Sequence, residues 1–301
     1  MSVKQPTSES RAHRSAVLAA LFVTFLWSSS WVLIRWGLDD EGLEPITFAG
    51  LRYVLAAAAL ATVVAVGQRE SIQRVSRKVV GRLVVLGLVF YALTQGAQFV
   101  AIDNQPAATT SLLLAMSPIV VVGLSSLTLG ERASSRQAAG VALVVSGALL
   151  YFVGDLGATV VGMIAALTAL VANSISALLG RAINRTQALP PVTVTAVSMA
   201  TGALVLLGAG VAVEGIPSLS ARGWLIISWL ALVNTALAFT LWNFSLRRLS
   251  ATESAVINNT MLVQIALLAW LFLGEVPGLA EVAGIALVSF GAVVSQLAPS
   301  S

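Results

Sequence analysis

Cysteine is absent from the 301-residue chain, which excludes disulfides, thiolate metal sites and thiol redox chemistry. Histidine occurs once, as His13 in a polar N-terminal stretch, so no histidine is available to apolar segments as a base or a ligand. Charge is scarce as well. Only 10% of residues are Asp, Glu, Lys or Arg, against roughly 25% in a soluble domain. A chain so poor in charge cannot cover a water-facing surface. Enzyme signatures are also missing: there is no HExxH, no Walker A loop, no Cys/His cluster and no acid pair within an apolar run. No catalytic residue, metal or cofactor is expected. The basic balance of 17 Lys and Arg against 13 Asp and Glu does not point to nucleic acid. These charges sit in short segments between apolar runs, where basic residues set orientation in a bilayer.

What the chain has in abundance is apolar length: 57% of its residues are hydrophobic. A bilayer core about 30 Å thick needs about 20 helical residues, and run after run approaches that length. The reading is an all-α polytopic membrane protein with ten transmembrane helices near 15–36, 46–67, 81–101, 107–129, 137–153, 157–180, 191–213, 222–245, 251–273 and 279–297. Pro45, Pro106, Pro190, Pro191, Pro217 and Pro277 punctuate them. No ten-residue alternating pattern supports barrel strands. Residues 1–14 read as a disordered cytoplasmic tail. The run from Ser15 to Trp36 is too long for a signal-peptide core and is taken as the first span.

An internal repeat organises these helices. Leu129–Ala148 (LGERASSRQAAGVALVVSGA) and Leu273–Ala292 (LGEVPGLAEVAGIALVSFGA) share ten of twenty positions at an offset of 144. With a shift of 146, Ser28 falls on Ser174, Arg35 on Arg181 and Pro45 on Pro191. Residues 15–153 and 157–297 are thus two five-helix repeats. Five is odd, so the second enters from the opposite face, which is an inverted-topology repeat. With the N-terminus placed in the cytoplasm, fourteen Lys and Arg fall inside and two, Arg35 and Arg222, outside. That bias predicts both termini to be cytoplasmic.

Polar residues within spans are the candidate site, because amides in lipid need partners. Trp27, Ser30 and Trp31 share a face of the first helix, and Tyr91, Gln95 and Gln98 one of the third. The sixth offers Asn173 and Ser176, the eighth Asn234 and Trp242, and the ninth Asn258 and Asn259 with Gln264. Together they read as a solute-binding cavity lining, with plain interhelical hydrogen bonding as the alternative. Arg52 lies about 10 Å of helix beyond Pro45. It either snorkels to the interface or serves as a gate or a partner for a substrate carboxylate. Glu131 and Glu275 mark helix ends as stops, packing charges or gates. Gly140/Gly147 and Gly284/Gly291 form small-residue stripes suited to close helix packing.

Trp27-Ser28-Ser29 with Arg35, Pro45 followed by Leu51-Arg52, Pro118, and the doubled LGE-(x)8-GxALxxxGA resemble the drug/metabolite transporter superfamily. The likeness covers about residues 15–297 and is closest to the ten-helix EamA-type exporters, within them the YddG-like amino-acid exporters. It implies export of small metabolites, often amino acids, across a bacterial inner membrane through a cavity between the halves. The family often has a proline in the ninth helix, and this chain has none there. The expected function is a transporter of small neutral or zwitterionic solutes working by alternating access. A membrane enzyme acting on lipid, a sensor or channel, and a proton/solute antiporter are the alternatives.

Overall fold

The computed structural model describes residues 8–67, 76–117, 119–120, 135–151, 157–185, 189–246, 248–249 and 251–296. Among them are ten helices: α1 Ser8–Asp39, α2 Pro45–Gly67, α3 Arg77–Asn104, α4 Ala107–Ala115, α5 Ser135–Tyr151, α6 Val160–Arg185, α7 Pro191–Glu214, α8 (221–246), α9 Ala251–Leu273 and α10 Leu279–Gln296. Six are long and apolar enough to cross a membrane. α1 starts at Ser8 rather than 15, so residues 8–14 are helical and not a disordered tail. No proline or glycine follows Pro6 to stop the helix before Asp39, except Gly37 in its last turn. Pro118, Glu131 and the rest of 121–134 lie outside the described residues.

Local chemistry sets the ends. Pro45 opens α2, and Pro191 opens α7 with Pro190 as its cap; proline loses nothing at a first turn whose N–H has no partner. Ser76 and Ser220 accept from the third amide of α3 and α8. Gly215 (φ 88°) and Gly274 (φ 71°) adopt left-handed backbone after α7 and α9, where a Cβ would be strained.

Packing shows the inverted repeat. α2 and α7 run antiparallel, with Gly50 on Leu207 and Gly210 on Thr47. α5 and α10 do the same, Gly147 on Gly284 and Gly291 on Gly140. Equivalent helices meeting antiparallel is what a two-fold axis in the membrane plane requires. The first helix of each repeat packs into the other one: α1 lies on α8 and α9, and α6 on α3 and α4. The repeats therefore interlock. Side chains facing away from the bundle include Leu18, Phe22, Phe25, Leu204, Trp229, Leu271 and Phe290, all exposed. In water so much apolar surface would drive aggregation, and against lipid it is the expected solvent contact.

Candidate functional site

α3 and α8 are equivalent helices, and each is interrupted by a π-helical segment, Gly87–Thr94 and Leu232–Leu237. Each segment carries a threonine whose hydroxyl bonds the carbonyl five residues back: Thr94 to Val89 and Thr235 to Leu230, both 2.8 Å. A π-bulge inserts a residue into the ladder and commonly marks a functional site. Here the two bulges turn aromatic and amide side chains towards the interior between the repeats.

A continuous file of rings results. Trp242 meets Trp27 at 5.2 Å between centroids, and Trp27 meets Phe239 at 5.3 Å. Phe239 meets Tyr91 at 6.4 Å, and Tyr91 meets Tyr53 at 5.7 Å. The Arg52 guanidinium lies 5.2 Å from the Tyr53 ring and 5.9 Å from Phe99, which packs edge-on to Phe48. The file spans α8, α1, α3 and α2 and thus joins the two repeats.

Polar groups border it. Tyr53 donates its hydroxyl to Gln95 Oε1 at 2.7 Å. Arg52 is only 5% exposed and donates from Nε to Thr235 Oγ1 at 3.0 Å. Among the described residues it has no carboxylate partner. Asn234 is fully buried; its Nδ2 donates to the Leu26 carbonyl and to Ser29 Oγ (3.1 Å), while its Oδ1 has no partner. Below the file, Gln264 accepts from Ser28 (3.0 Å) and donates to Thr260 (3.1 Å), tying α9 to α1.

The sequence-predicted residues divide. Trp27, Tyr91, Gln95, Asn234, Trp242 and Arg52 gather around the file. Trp31 is buried in the main apolar core. Ser30 and Ser176, equivalent by the repeat, each donate to their own helix, at the carbonyls of Trp27 and Asn173. Gln98 and Asn173 are half-buried, and Asn258 is exposed. The side chain of Asn259 and all of Glu131 lie outside the described residues. Tyr53, Phe99, Thr235 and Phe239 escaped the sequence reading. Thr235 and Phe239 stand i, i+4 to each other, and Phe239 is three residues from the chosen Trp242, a signal that could have flagged them.

Among the described residues, one end of the bundle gathers Asp39, Asp40, Glu41, Asp103, Glu214 and Glu275. There Glu275 accepts from the first amides of α4, Ala107 (3.0 Å) and Ala108 (3.2 Å). Glu214 does the same for α2, at Ile46 (3.0 Å) and Thr47 (2.7 Å), and also accepts from the Thr47 hydroxyl. Each carboxylate reaches from one repeat to a helix N-terminus of the other, where negative charge is favoured. Arg35 binds the carbonyls of Asp103 (3.2 Å) and Gln105 (2.6 Å) at this end. With Trp36, Asp39, Asp40, Phe272, Leu273 and Glu275 it lines a surface cleft of about 350 Å³. Among the described residues no three His, Asp or Glu stand close enough to hold a metal.

Interlocked inverted repeats around a partly buried aromatic and amide file are an arrangement suited to a polytopic membrane transporter. Residues 14–153 and 160–296 match the EamA-like transporter family, and the chain belongs to that family, within the drug/metabolite transporter superfamily. It is a transporter and not an enzyme. The chain is 27% identical to a probable terminal-alkyne amino-acid exporter of Streptantibioticus cattleyicolor, over 91% of this chain and 93% of that one. It is 26% identical to the uncharacterized transporter YoaV of Bacillus subtilis, over 86% and 89%. A probable amino-acid metabolite efflux pump of Escherichia coli is 32% identical over 51% of this chain and 48% of its own length. A crystal structure with a TM-score of 0.68 covers 94% of this chain and 97% of its own at 21% identity, a likeness of fold.

Proposed function

We propose that the chain exports amino acids with aromatic or aliphatic side chains across a bacterial inner membrane, with both termini in the cytoplasm. The observation that carries this reading is the ring file from Trp242 to Phe48, bordered by Gln95, Asn234 and Arg52. Rings accept an apolar side chain, and amides and a guanidinium accept the polar end of the same molecule. Two relatives whose printed names are probable exporters of amino acids or their metabolites support the solute class. The positive-inside count supports the orientation, and the inverted repeat supports alternating access.

Purified protein in proteoliposomes tests the proposal. Saturable counterflow of labelled L-phenylalanine, absent from empty liposomes, is the expected result. Flux that rises linearly without saturation would indicate a channel, and no flux of any amino acid would remove the solute assignment.

A further inference from the structure

Two buried polar groups in the file are left incomplete by the protein itself. A guanidinium has five N–H donors. Arg52 uses one, on Thr235 Oγ1, and its guanidinium lies near the rings of Tyr53 and Phe99. A structural arginine at this depth would normally be paired with an acid or saturated by carbonyls, because an uncompensated buried charge is strongly unfavourable. Among the described residues neither compensation is present. The second group is Asn234 Oδ1, a fully buried acceptor without a donor. Its orientation is fixed by neighbours. Ser29 donates to the Leu26 carbonyl, and both then present acceptors to Asn234 Nδ2, so the oxygen is forced to the other side.

Both groups are tied to one short helical segment. Thr235, which holds Arg52, follows Asn234 in the chain, and both lie in the π-helical segment Leu232–Leu237. One group lacks an anion and the other lacks a donor. We propose that Arg52 and Asn234 are the two poles of a zwitterion site, with Arg52 taking the α-carboxylate of the solute and Asn234 Oδ1 accepting from its α-ammonium. This rests on the amino-acid export reading above and narrows it to solutes with both charged groups free. Neighbouring rings of Tyr91 and Phe239 receive the side chain.

Three probes of one shape test it in proteoliposomes: L-phenylalanine, phenylalaninamide, which lacks the carboxylate, and 3-phenylpropionate, which lacks the ammonium. A hydrogen bond to a charged group separates them by roughly 10- to 100-fold in half-saturation. The parent protein should rank phenylalanine ahead of both by that margin. Arg52→Gln should weaken phenylalanine by a similar factor and leave phenylalaninamide nearly unchanged. Asn234→Leu should spare 3-phenylpropionate in the same way. Should either variant fail to fold, the parent's ranking still decides. A parent that moves all three probes alike overturns the zwitterion site and leaves amino-acid export standing. A parent that moves none overturns export of this solute class and the site with it. Variants that lose all probes in equal proportion while staying folded assign the two residues to structure and sink the proposal.

Discussion

Substituting Gly284 by alanine isolates the contact that binds the two repeats along α5 and α10. A Cβ there would stand 2.7 Å from the Gly147 carbonyl oxygen and 2.8 Å from the Tyr151 amide nitrogen. Ordinary contact begins at 3.4 Å, so the helices must part by about 0.7 Å if translation relieves the clash. A gap of about 0.5–1 Å forfeits a quarter to a half of each dispersion contact. Val144, Ala148, Tyr151, Ile285, Val288 and Ala292 share that interface and are all buried. Overpacking of this kind costs about 1–3 kcal/mol. Alanine also favours a helix over glycine by about 1 kcal/mol, which would mask part of the loss. Gly208 on α7 supplies the correction, since a Cβ there meets nothing within 4 Å. Gly208→Ala takes the helix gain alone. The difference between the two variants is then the clash, about 1–3 kcal/mol. At about 2–4 °C per kcal/mol, Gly284→Ala should melt roughly 2–12 °C below Gly208→Ala in detergent. Equal shifts for the two would refute the close-approach account of the stripe.

Three further outcomes follow from the same geometry. Glu214→Ala and Glu275→Ala should each destabilise by about 1 kcal/mol and speed hydrogen exchange at the amides of Thr47 and Ala108, the ones they cap; unchanged exchange would mean that water already serves those amides. Trp27→Ala and Trp242→Ala should change half-saturation or solute ranking while both proteins still fold, and parent-like transport by both would remove the ring file from the pathway. Cysteine at Glu44, exposed at the acidic end, should react with an impermeant maleimide in intact cells, and cysteine at Lys78 only after permeabilisation; the reverse pattern inverts the orientation.

Ten helices were legible because apolar length and glycine or proline breaks are written residue by residue. The glycine stripes were legible too, since an i, i+7 spacing repeated in two halves leaves a narrow choice of roles. The π-segments were not. A single inserted residue changes neither composition nor apolar length, and the hydroxyl bonds of Thr94 and Thr235 that accompany it look like any helical threonine in sequence. Faces drawn with a regular 3.6-residue period therefore drift across each bulge. A regular face therefore takes in Asn234 and Trp242 and misses Phe239, a ring of the file itself, and Thr235, which bonds Arg52. Glu214 carries no sequence signal of its role, because its partner amides at Ile46 and Thr47 are 168 and 167 positions away. The same separations recur for Glu275 with Ala107 and Ala108. Only the folded arrangement makes the pair visible.

Those two carboxylates also bear on energy coupling. A proton-driven transporter generally keeps a carboxylate or histidine inside the membrane to load and release the proton. In this chain the histidine is at position 13, and Glu70, Glu131 and Asp155 fall between apolar runs. Among the described residues Asp39, Asp103, Glu214, Glu253 and Glu281 lie in the first or last turn of a helix, and Glu275 follows one. Glu214 and Glu275, which bridge the repeats, are committed to helix N-termini at the acidic end. Among the described residues the buried charge within a span is Arg52, a guanidinium and neither a carboxylate nor a histidine. The expected mechanism is therefore a uniport, with solute running down its own gradient. In voltage-clamped proteoliposomes, an imposed pH gradient should give no net accumulation of phenylalanine, while a phenylalanine gradient alone should drive flux. Accumulation that follows the pH gradient would end the uniport reading. Its loss in Glu275→Gln or Glu214→Gln would then identify the carboxylate that carries the proton, and the helix cap would become the element released in each cycle.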